Sequence, residues 1–151
     1  MKLPAWLIVG LCFFVLAGVL TIAGRFSEKS QVYAGGSISL APDLASKAET
    51  LRNLFIVVFD QESAAPMPYG ALRVQLNDAP QGTFHHFILT RENLSVMAGK
   101  QAPDLSTLRI KAPLTSSTFI GQDSQGDLYG EVKDIPMGKE GVEIVIDKAQ
   151  E

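Results

Sequence analysis

Five side chains beyond the first quarter of the chain carry soft or borderline metal-ligand donors: Met67, His85, His86, Met97 and Met137. Thioether and imidazole are ligands that Cu(I) accepts, so a copper site built on His85, His86 and Met97 is one chemistry that these residue types allow. A blue-copper site also needs a cysteine thiolate, and Cys12 is the only cysteine, set within an apolar run near the N-terminus. Methionine in a β-rich chain is ordinarily a gap filler, so core packing is the default expectation, and no cofactor is expected. Nucleophilic chemistry has less support. Neighbouring residues in a strand point to opposite faces, so one of His85 and His86 is expected in the core and the other at the surface. A triad needs histidine between a nucleophile and an acid, and no spacing here supplies it. No glycine-rich phosphate loop follows a strand, and neither an HExxH pattern nor paired cysteines occur. The chain is expected to be no enzyme.

The carboxylates offer a different kind of site. Lys and Arg number 13 against 16 Asp and Glu, a formal net charge of −3. From Ser37 onward ten basic residues face fifteen acidic ones, which excludes the basic surface that a nucleic-acid partner requires. Between Asp123 and Glu151 the imbalance is eight acids to three bases. Asp123, Asp127, Glu131 and Asp134 lie in and around a turn-rich stretch and are candidate contacts for a basic protein partner. A solvated acidic face is the plainer reading of the same pattern.

These residues must be positioned by the elements around them. Ala5 to Ala23 is an apolar run of 19 residues with Thr21 as its polar member. At 1.5 Å rise per residue it would span roughly 28 Å, close to the hydrocarbon thickness of a bilayer. The run outlasts the about 7–15 residues of a signal-peptide core, so residues 1–24 are expected to be a retained transmembrane anchor. Cleavage before Gly24 is the alternative. The N-terminal position of the run favours export of the C-terminal part. Residues 25–36 read as a polar tether, and 37–149 as one folded domain of a size that holds an ordinary core.

Within that domain, alternation marks Ser37–Leu40, Leu108–Ala112, Tyr129–Val132 and Val142–Ile146 as strands. Ala41-Pro42-Asp43-Leu44 reads as a turn or a short helix. Leu54–Phe59 (LFIVVF) is a continuous β-branched and aromatic run, expected to be buried on both faces. Tyr69–Gln75 and Thr83–Leu89 complete the set, the latter with Phe84, His86 and Ile88 on one face and His85, Phe87 and Leu89 on the other. Arg91 to Ala102 and Gly121 to Asp127 read as loops. Seven short strands separated by turn signals predict an all-β antiparallel sandwich.

The succession SISLAPDL, LFIVVF, PMPYGALR, FILT, SVMAG, RIKA, GDLYGE and VEIVID resembles the C-terminal periplasmic domain of the cytochrome c-type biogenesis protein CycH, also called CcmI. The match covers roughly Gly36 to Asp147, and order and spacing carry it, above all APDL after the first strand and GDLYGE before the last. The resemblance implies an immunoglobulin-like domain in the periplasm, and the apolar run, read as a single span, would hold it at the inner membrane. It also implies apocytochrome c or another cytochrome c maturation component as the partner. Full-length family members carry two membrane spans and helical repeats ahead of this domain. This sequence reads instead as one span without repeats, a stand-alone anchored assembly module acting by protein–protein binding. The alternative is a generic extracytoplasmic binding domain for copper or another ligand.

Overall fold

The computed structural model describes residues 31–63, 67–97, 105–121 and 124–151. The expected anchor, and the tether as far as residue 30, lie outside the described residues. Among the described residues no helix is long and apolar enough to cross a membrane. Residues from Gln31 to Glu151 form one compact unit.

All seven expected strands are present: β1 (Val32–Leu40), β2 (Asn53–Asp60), β3 (Gly70–Gln75), β4 (Thr83–Thr90), β6 (Thr107–Thr115), β7 (Leu128–Pro136) and β8 (Lys139–Ile146). Two two-residue strands, β5 (Ser95–Val96) and β9 (Lys148–Ala149), add to them. A 3-10 turn at Pro42–Leu44 leads into a single helical turn, α1 (Ala45–Ala48), with proline at its start, where a missing N–H costs nothing. The strands form two sheets, one ordered β4-β1-β8 and the other β5-β3-β2-β6-β7-β9. Inward residues from both sheets make the core: Ile38 and Leu40 from β1, Leu54, Ile56 and Val58 from β2, Ile110 and Leu114 from β6, and Ile144 and Ile146 from β8.

The LFIVVF run is buried on both faces, as its composition predicts. Leu54, Ile56 and Val58 enter the core, whereas Phe55 and Val57 form a second small cluster with Ala71 and Phe59 on the outer face of the six-stranded sheet.

Three expectations are corrected. The first strand begins at Val32, so residues 32–36 belong to the sheet and not to a tether. Tyr33 and Ala34 are buried there, and the glycines that look like linker chemistry meet neighbouring strands. The sandwich is also not wholly antiparallel, because β1 pairs antiparallel with β4 but parallel with β8 (Ile38 opposite Ile144). Finally, Phe84 leaves the face it was assigned to share with His86 and Ile88. The β4 register slips between Ile38 and Ser39 of β1, which makes Phe84 an extra residue and packs it against the core.

Two glycines set how closely the strands approach. A Cβ at Gly36 would overlap the backbone of Val142 in β8, and one at Gly130 would overlap the carbonyl of Val145 in the same strand. A buried hydrogen bond between the Tyr33 and Tyr69 hydroxyls, 3.1 Å long, ties β1 to the residue that precedes β3. Burial and that bond push the Tyr69 hydroxyl up to about 12, so it stays protonated and able to hydrogen-bond throughout the physiological range.

Ile56→Asp would put an unpaired carboxylate at a site with no solvent exposure. That costs several kcal/mol against a small domain's margin of about 5–15 kcal/mol, so the cooperative melt should be lost. Gly130→Ala should lower stability by about 1–3 kcal/mol through overpacking against β8. Thermal or denaturant melts check both, and an unchanged midpoint for either would contradict this packing.

Candidate functional site

The three candidate acids among the described residues each have a different local partner. Asp123 lies outside the described residues. Asp127 is 7% exposed, and its carboxylate accepts the Ser124 N–H at 3.0 Å, closing the turn that launches β7. Glu131, further along β7, accepts the Arg109 guanidinium at 2.8 Å. Asp134 occupies a bulge with a left-handed φ of 56°. There it exchanges two hydrogen bonds with Gln61: the amide donates to its carboxylate at 2.9 Å, and its own N–H donates to the amide oxygen at 2.9 Å. Each described acid thus has an internal partner, and each serves a different part of β7.

The metal candidates are likewise separated. His85 and His86 lie near the start of β4 in the three-stranded sheet, whereas Met97 follows β5 at the border of the other sheet. Among the described residues no group of three or more His, Cys, Asp or Glu side chains could hold a metal ion. Met137 packs against the core, and Met67 is exposed. His86 faces solvent. His85 is half-buried and lines a cleft of about 270 Å³ with Val74, Leu76, Asp78, Pro80 and Phe84. Burial, and secondarily the neighbouring His86, hold the His85 imidazole below its ordinary value, so it is neutral at pH 7.

What the fold does bring together is an open sheet edge. Among the described residues, strand β4 pairs with β1 on one side and with no strand on the other. At its far end that edge is closed by a side chain: Asn93 donates to the Ile88 carbonyl at 2.7 Å and accepts the Thr90 N–H at 2.8 Å. Backbone groups two residues apart point the same way, so the N–H and C=O of His86 also face outward. The carboxamide of Asn93 imitates a neighbouring strand at Ile88–Thr90 and leaves Phe84–His86 open. Beside it stands Ile88, 63% exposed, on the outer face of the sheet. The sequence carries a signal for this in NLS following the FILT strand, since Asn commonly bonds nearby backbone. Only the register shows which edge it caps.

Two sheets that share one core, ordered β4-β1-β8 and β5-β3-β2-β6-β7-β9, make a β-sandwich. The model of the cytochrome c-type biogenesis protein H Ig-like domain matches residues 35–147, from within β1 to just past β8. The chain belongs to that family. The order of APDL and GDLYGE in the sequence, which carries the resemblance, therefore tracks a real relationship. No curated protein and no solved structure matches the chain at a significant level.

Two measurements check these environments. Because the native His85 binds a proton less readily than an unfolded imidazole, the unfolded chain holds more protons as the pH falls below the ordinary value of about 6.5. The His85 contribution to stability is thus complete above that pH and is lost on acidification toward the lowered native value. The Tm of the protein should fall between pH 7 and pH 5, and His85→Gln should flatten that slope. Asp127→Ala should cost about 1–3 kcal/mol by leaving the Ser124 N–H without its charged acceptor. A melt unchanged by Asp127→Ala would return this acid to the surface.

Proposed function

We propose that this chain is a membrane-tethered periplasmic accessory of c-type cytochrome biogenesis that binds a protein partner and performs no catalysis. Family membership supports the pathway. The same family and the apolar N-terminal run support the compartment. The partner is apocytochrome c or another component of the maturation system.

The observation that carries the mechanism is the half-open edge of β4. An extended segment of the partner can join that edge by main-chain hydrogen bonds, starting at His86, while Ile88 supplies an apolar contact beside it. An apocytochrome suits this mode because a chain not yet folded around its haem presents extended backbone. The copper reading has less behind it, with the two histidines in β4 of one sheet and Met97 just after β5 of the other.

His86→Pro removes the outward N–H at a place where an edge strand tolerates proline. Capture of maturation components by the full-length protein from solubilised membranes should fall at least about tenfold, while the melting midpoint moves little. Equal capture by wild type and variant would rule out the edge. Protease added to spheroplasts should digest the domain while the chain fractionates with membranes. Recovery of a soluble form beginning at Gly24 would overturn the tether.

A further inference from the structure

We propose that the cleft at the open start of β4 is a side-chain pocket that selects a lysine or arginine in the partner's extended segment. The proposal rests on the reading that such a segment joins β4, and it names the residue type that the site takes. The cleft, of about 270 Å³, lies between the end of β3 in one sheet and the start of β4 in the other, with residues 76–80 as its remaining wall. Strand alternation fixes what reaches it. Phe87 and Leu89 are buried and His85, on the same side of β4, lines the cleft, while His86 and Ile88 face solvent. A segment paired with β4 keeps this alternation. Its residue opposite His86 faces solvent, and its residue opposite His85 turns inward to the cleft.

The lining decides which side chain fits. Val74, Leu76 and Phe84 offer apolar surface, and Gln75, Asn77 and Asp78 are exposed polar residues. Of the residues that line the cleft, Asp78 alone is charged at pH 7, because the half-buried His85 is neutral there. An aliphatic arm can lie along the apolar surface while its cationic end stays at the wet, acidic side, as lysine and arginine arms do. The neutral His85 ring also has one nitrogen that accepts a hydrogen bond from such an end. A wholly apolar side chain would cover the Asp78 carboxylate without pairing it, and an acidic one would meet it as a like charge.

Size and rigidity agree with this occupant. A cleft of about 270 Å³ holds about nine groups of a water molecule's volume, taken as about 30 Å³ each, which is enough for a whole lysine or arginine side chain. The connection that carries Asp78 is tied at both ends. The Leu76 N–H donates to the Arg52 carbonyl at 2.8 Å, and the Gly82 carbonyl accepts the Leu40 N–H at 2.9 Å. Pro80, between them, is buried. A wall fixed in this way has less freedom to lose on binding, which is the advantage of a pre-organised site.

The full-length protein in non-ionic detergent, titrated at constant pH with the N-acetyl, N-methylamide derivative of lysine, tests the proposal. The His85 imidazole resonances should shift saturably. The matching norleucine derivative, which has the arm without the ammonium, should bind at least about threefold more weakly, as loss of an exposed ion pair predicts. Asp78→Asn should weaken binding of the lysine derivative by a similar factor with an unchanged melting midpoint. Asp43→Asn removes an acid from the Pro42–Leu44 turn, outside the cleft, and should leave binding unchanged. In capture from solubilised membranes, Asp78→Asn should recover at least about threefold less of the maturation components than wild type. No saturable shift, equal binding of the two derivatives, or equal loss in the two variants would overturn the proposal. So would binding of the lysine derivative with undiminished capture by Asp78→Asn, which would assign the cleft to a free amine. His86→Pro should leave binding of the lysine derivative unchanged, so failure of the cleft and failure of the edge mechanism are read separately.

Discussion

The sandwich depends on a close crossing of two backbones. Strand β8 passes over β7 where Gly130 has no side chain, with the Val145 carbonyl occupying the space that a Cβ would need. This crossing lets β8 leave the sheet that contains β7 and pair with β1 in the other, although the two strands are joined by a two-residue turn at Met137 and Gly138. Gly36 does the same for β1, where the slipped register sets it against Val142. With these two approaches in place, Ile144 and Ile146 reach the core and face Leu54 and Ile56 from the opposite sheet. The GDLYGE segment is therefore a packing device as much as a turn. Its last glycine is a point at which backbone from the two layers comes into close contact.

Much of this fold is legible in the sequence, because its strands alternate cleanly. Leu108, Ile110, Ala112 and Leu114 repeat every second residue and all turn inward. LFIVVF breaks that alternation, and the structure shows why: both of its faces have apolar company. The features that escape a sequence reading are those decided by partners. Val32–Gly36 resembles a linker in composition, but Tyr33 finds Tyr69 and Gly36 finds β8. Phe84 follows strict alternation by position and departs from it because the opposite strand runs one residue short. The parallel pairing of β1 and β8 has no local sequence signature at all.

The candidate site follows the same division. Acidic residues are visible as a cluster along the chain, but Asp127, Glu131 and Asp134 sit at different points in and beside β7, each engaged by a different neighbour. Arg109 and Glu131 are 22 positions apart and meet only because β6 and β7 are paired. Net charge describes how a molecule behaves as a whole, while recognition depends on which residues share a face.

The pairing of Ile38 with Ile144 joins two positions separated by more than a hundred residues, and it is central to the three-stranded sheet. Contacts so distant along the chain form late, because the entropy of closing the intervening loop is lost before they can contribute. A domain whose opening strand waits for its last long one cannot fold piecemeal as it emerges. Until Ile146 is available, Ile38 and Leu40 have an incomplete sheet around them.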